Sequence, residues 1–212
     1  MIDSIFYVII LIMSVVVHEV AHGYTAYLLG DDTARLSGRL TLNPIHHLDL
    51  FGSVILPLLL VLSQSGFVIG WAKPVPYNPD NIKTGKNGIT LVAISGILAN
   101  LFLVLFFGLL IRSLPILGVS VFDLDGNLNP IYKISTIIVL VNLVLAIFNL
   151  IPIPPLDGSK ILSYFIPLKY RHIENFLEKF GFLILILFII FVWNLLTPII
   201  GYIFTFITGF GL

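Results

Sequence analysis

Three polar residues in the first apolar stretch constrain this chain most. They are His18, Glu19 and His22, in the run VVVHEVAHGYTA from Val15 to Ala26. The residues just ahead, Phe6 to Val15, carry no charge. Ser4 to Leu29 reads as one helix of about 37 Å, more than the hydrocarbon core requires. In a helix, residues four apart share a face, so both imidazoles point the same way. Two such nitrogens can hold one metal ion, with Glu19 beside them as a candidate base. Gly30 follows as a helix stop. The pair would then lie about 10 Å below one membrane surface. A lone H-E-x-x-H pattern is weak by itself. Ionisable groups at membrane depth are costly unless they are used, and that favours the metal reading over a structural one.

Composition sets the class. The chain has 212 residues, only 10% of them charged, and a mean hydropathy of +1.07. These values predict an integral membrane protein that a single bundle can contain. A formal net charge of zero argues against nucleic acid as a partner. There is no cysteine, so a metal must be held by nitrogen and oxygen ligands. The first helix is read as a span, not a cleaved leader, because it begins MIDS and its loss would delete the candidate site.

Four further segments follow. Gly30 to His47 is polar, and the partial alternation over Arg35 to Leu42 suggests a short interfacial hairpin or edge strand. His46 and His47 are adjacent, so their side chains should diverge at the interface and not form a second metal pair. Leu50 to Ile69 is apolar but broken by Pro57 and by Ser63, Gln64, Ser65 and Gly66. It can span or re-enter. Trp71 to Asn87 is a proline-rich linker suited to an extended path. Segment three, Gly88 to Ile111, contains SGILAN, whose Ser95, Gly96 and Ala99 favour close helix approach. Arg112 to Pro130 is a slightly acidic loop. Segment four, Ile131 to Ile151, carries Asn142 and Asn149 and runs into IPIPPLDG. Ser159 to Lys179 reads as a basic loop. Phe180 to Leu196 spans, Thr197-Pro198 interrupts it, and an apolar tail follows. The chain thus reads as one domain over 1–212, with a catalytic core at about 4–158, a basic cytoplasmic loop at 159–179 and C-terminal membrane segments at 180–212. The expected fold is an all-α polytopic bundle of about four to six transmembrane or re-entrant segments around an intramembrane metal site.

Asp157 is the candidate third ligand. A carboxylate there needs a charge partner, and the proline-rich approach breaks the helix and turns its backbone inward. The other reading is that Asp157 caps the next turn. If it does join the histidines, the ends of segments one and four face the same side. One net crossing must then separate Leu29 from Ile131. Segment three is the clean span, so segment two should return. The two loops then sharing the site's side, Trp71 to Asn87 and Ser159 to Lys179, are both net basic. That makes the side cytoplasmic and the N-terminus extracytoplasmic. Zinc bound by two histidines and a carboxylate polarises a carbonyl and activates water, for which Glu19 is the general base. Asn100 and Asn149 are candidates for substrate binding or for donating to a developing oxyanion. Asn142 reads as structural.

Several stretches resemble the site-2 protease family of intramembrane zinc metalloproteases, in its short branch without a PDZ domain. They are HEVAHGYTA (His18 to Ala26), the run from Gly30 to Pro57, GWAKPVPYNP (Gly70 to Pro79), SGILAN (Ser95 to Asn100) and NLIPIPPLDG (Asn149 to Gly158). Ile97 stands where the family often has proline. The resemblance implies one zinc per chain on His18, His22 and Asp157, with Glu19 activating water and Asn100 binding substrate. It also implies cleavage of membrane-embedded helices or signal-peptide remnants in the prokaryotic cell (inner) membrane, towards its cytoplasmic side. The competing reading is a metal-ion transporter or metal-dependent scaffold. The adjacent Glu19 and the lack of any other polar ladder argue against it.

Overall fold

In lipid, a backbone must satisfy its own hydrogen bonds, and long apolar runs therefore become helices. The computed structural model describes residues 2–55, 59, 62–63, 72–123, 125–209 and 211. Its longest helices are α1 (Ile2–Leu28), α3 (Lys86–Ser113), α4 (Pro130–Leu150) and α6 (Arg171–Phe191). Between them lie the short α2 (Thr33–Leu36) and α5 (Asp157–Phe165), and α7 (Trp193–Thr208) follows α6. Phe6–Leu28 of α1, together with α3 and α4, is long and apolar enough to cross a bilayer. Helices α6 and α7 meet at a bend of 67° and form one broken span or a re-entrant loop. The protein is an all-α polytopic membrane protein.

Three expectations change. The hairpin over Arg35 to Leu42 is absent: Thr33–Leu36 forms a helical turn, and Gly38 leaves it with φ 65°. Ser159 to Lys179 is helical over most of its length, divided between α5 and the start of α6. The C-terminal break falls at Val192 and not at Thr197-Pro198, and Pro198 lies inside α7. Most of Leu50 to Ile69 lies outside the described residues, so its choice between spanning and returning does too.

The chain divides into two compact units. One comprises residues 1–11 and 97–212. Its core packs Val104, Ile111 and Leu114 of α3 and the loop after it with Tyr132, Val139 and Leu143 of α4 and Ile200 and Phe204 of α7. The buried Asn100 of α3 donates to Asn142 Oδ1 of α4 at 2.7 Å, and Asn142 Nδ2 returns to Ile138 O. An amide pair of this kind satisfies two polar groups that lipid cannot. Pro154 O and Cβ lie against Gly181, where any side chain would collide.

Residues 12–96 form the other unit. Helix α1 ends at Leu28, and Gly30, φ 106°, turns the chain out of it, with Asp31 N–H returning to Ala26 O at 3.0 Å. Asp31 is fully buried and ties three segments together. Its carboxylate accepts from Thr33 N and Oγ1, from Asn81 Nδ2 at 2.9 Å and from Asn78 N at 2.7 Å. Burial pushes the Asp31 carboxyl up, but these donors outweigh it and hold the group below its ordinary value of 3.8. A depressed carboxylate stabilises the fold fully above its unfolded pKa, and that stabilisation disappears as pH falls through the folded value. Wild type should therefore melt above Asp31→Asn at neutral pH. The gap should close below about pH 4, as read by tryptophan fluorescence on heating in detergent. A gap constant down to pH 3 would refute the assignment.

Candidate metal centre

Helical spacing brings the two imidazoles together as expected. His18 Nε2 and His22 Nε2 lie 3.0 Å apart, and the rings meet edge to face with centroids at 4.5 Å. Both residues are more than nine-tenths buried. His22 Nδ1 contacts Val92 O at 2.6 Å. A carbonyl only accepts, so Nδ1 carries the proton and Nε2 of His22 presents its lone pair. Fixing the tautomer through the far nitrogen is the usual way a protein orients a metal-binding histidine.

The site's room comes from Gly96. A Cβ on Gly96 would lie 2.5 Å from His22 Cε1 and 2.6 Å from both His18 Cε1 and His22 Nε2. The sequence marked Gly96 only as a small residue suited to helix packing; its specific task is to leave both rings in place. Gly96→Ala should force the rings apart and weaken zinc binding by about 10- to 100-fold, the range for disturbed outer-shell contacts. A competition titration with a chromophoric chelator reads this directly. Wild-type affinity in that variant would contradict it.

Glu19 is half-buried on the same turn, and its Oε2 accepts from Val75 N at 2.8 Å. Val75 lies between Pro74 and Pro76 in an extended stretch. Prolines have no N–H, so within Pro74-Val75-Pro76 the only backbone donor is the one given to Glu19. Helix spacing could not disclose this partner.

Asp157 lies in the first turn of α5 and is more than nine-tenths buried. Its Oδ1 is 3.2 Å from Lys160 Nζ. Leu156, not Asp157, occupies the N-cap position, and α5 has no side-chain cap there. Gly158 is required by space, because a Cβ there would strike the carbonyl oxygens of Leu150 and Ile151. Of the amide candidates, Asn100 is engaged with Asn142 as described, and Asn149 Nδ2 donates back along α4 to Leu145 O at 3.0 Å. The two adjacent histidines do diverge: His47 is buried with Nε2 donating to Thr41 O at 2.8 Å, and His46 is exposed.

His18 and His22 suit a borderline cation by chemistry and by space. Both are nitrogen donors, one has a fixed tautomer, and two ring nitrogens at 3.0 Å call for a cation or a shared proton between them.

The sequence profile of Peptidase family M50 matches residues 119–192. A Bacillus subtilis (strain 168) protein described as "Putative zinc metalloprotease YwhC" is 41% identical over 183 residues, covering 86% of this chain and 79% of that protein. "Putative zinc metalloprotease Rip2" of Mycolicibacterium smegmatis is 26% identical over 179 residues, covering 84% of this chain and 64% of that protein. No solved structure matches. Fold and similarity together define a membrane protein of the metalloprotease class. The chain belongs to peptidase family M50.

Proposed function

We propose that the protein is an intramembrane zinc metalloendopeptidase that hydrolyses peptide bonds in or near transmembrane segments of other membrane proteins. The observation that carries this reading is the pair of sheltered imidazoles with Glu19 beside them, set in a helix long enough to cross a bilayer. His18, His22 and Asp157 would hold one zinc ion per chain. Asp157 is proposed on its burial, its place in the first turn of α5 and its charge at that depth. Bound zinc would supply Lewis acidity towards the scissile carbonyl and lower the pKa of water.

The protein's own groups do the rest. Val92 O holds His22 in one tautomer, and Gly96 leaves both rings their space. Val75 N–H aims the Glu19 carboxylate. Glu19 takes a proton from the attacking water and passes it to the leaving amine. A helical substrate shields its carbonyls in i to i+4 bonds, so the segment must be cut in extended form. Asn100 and Asn149 are proposed to bind that extended backbone, Asn100 once its pairing with Asn142 opens.

Substrates would be single-span proteins or signal-peptide remnants in the prokaryotic cell membrane, with the site towards the cytoplasm. The basic residues of the 72–87 linker and of the region around α5 and α6 support that orientation. The test is cleavage of a purified single-span substrate in detergent. Zinc-loaded protein should cut it, chelated protein should not, and added zinc should restore cutting. Undiminished activity after complete zinc removal would overturn the proposal.

A further inference from the structure

The segment from Lys73 to Asn78 is anchored along its whole length within the 12–96 unit. Lys73 N donates to His47 O at 2.8 Å. Arg39, itself buried, gives Nη2 to the carbonyls of both Lys73 and Pro74 at 3.2 Å. Val75 N reaches Glu19. The Val75 side chain is buried in a notch where a Cβ on Gly23 would lie 2.6 Å from it. Asn78 N ends the run on Asp31 Oδ2. The flanking prolines keep the backbone extended, so it cannot coil away between its anchors.

Of these contacts, one reaches a group with a chemical task. The others fix the backbone around it. Arg39 stands out because a buried guanidinium is costly, and here it is spent on two carbonyls beside the residue that holds Glu19. Its charge-assisted bonds are stronger than neutral ones. A solvated surface arginine would give none of this.

We infer that Lys73–Asn78 is a strap that aims Glu19, and that Arg39 is a positioning residue acting through it. This rests on the reading of Glu19 as the base. Arg39 does not touch the reacting atoms. Its loss should slacken the strap, release the Val75 bond and let the carboxylate wander. Small misplacements of a catalytic group are expensive in rate while binding is spared.

The experiment uses full-length, zinc-loaded protein in detergent with a single-span substrate. Arg39→Gln should lower kcat about tenfold with KM and zinc content close to wild type. Hydrogen exchange over residues 72–78 should quicken in the same variant. Arg39→Lys, which keeps charge and donors, should recover most of both. Val75→Pro deletes the donor without touching Arg39, and should lower kcat to a similar degree. It also keeps the inference testable if Arg39→Gln does not fold. In a Glu19→Gln background, Arg39→Gln should cost nothing more. Faster exchange with unchanged kcat would overturn the inference, as would a rise in KM alone. A fully active Glu19→Gln protein would instead overturn the base assignment, leaving the exchange result to report on the strap by itself.

Discussion

Glu19→Gln should lose about 10³-fold in kcat while keeping its zinc. General acid–base catalysis is worth roughly 10²- to 10⁴-fold, and no second carboxylate lies on the HEVAH turn to replace it. The substitution is close to isosteric. Gln keeps an oxygen that can accept from Val75 N–H, so the strap and the fold should survive. What disappears is the ability to take a proton from water. KM should stay near wild type, because the group acts in the transition state and contributes little to ground-state binding. Steady-state cleavage of a single-span substrate, with zinc measured on the same sample, checks both halves. A variant that keeps zinc and full function would revive the transporter or scaffold reading.

The second large effect concerns the ligand set. His22→Ala and Asp157→Ala should each strip the protein of tightly held zinc and of activity together. The two differ in what they leave behind. His22→Ala removes a donor whose tautomer Val92 O has already fixed, and the carbonyl keeps its bond from Ser95 Oγ at 2.6 Å. Asp157→Ala removes a negative charge and with it the 3.2 Å contact to Lys160 Nζ. Restoring the charge with Asp157→Glu should recover some zinc binding, since only the reach changes.

Much of this was legible in the residues. Helices α1, α3 and α4 lie within a few residues of their expected ends, because apolarity in lipid leaves little choice. The histidine pair followed from spacing alone. Other parts were not legible, for identifiable reasons. The charges of Lys160 to Lys179 read as a loop, although most of that stretch is helical, divided between α5 and the first turns of α6. Pro198 drew the expected break towards itself, whereas the chain turns at Val192. The contacts that matter most to the base are non-local: Val75 to Glu19, Arg39 to Lys73 and Pro74, Asn78 to Asp31. Each joins residues that no helix or strand period relates. The Pro-Val-Pro run was the one local clue, since it leaves a single N–H to be spent. Gly96 was read as a packing residue, and it is one, but what it packs against is the imidazole pair.

Zinc affinity of Asp157→Ala against wild type is the most direct measurement of the ligand set. Competition with a chelator of known affinity should give about one tightly bound zinc per wild-type chain. The variant should fall well below that under the same chelator, with helix content unchanged by circular dichroism. A folded Asp157→Ala protein that binds zinc as tightly as wild type would show that the two imidazoles find their third partner elsewhere.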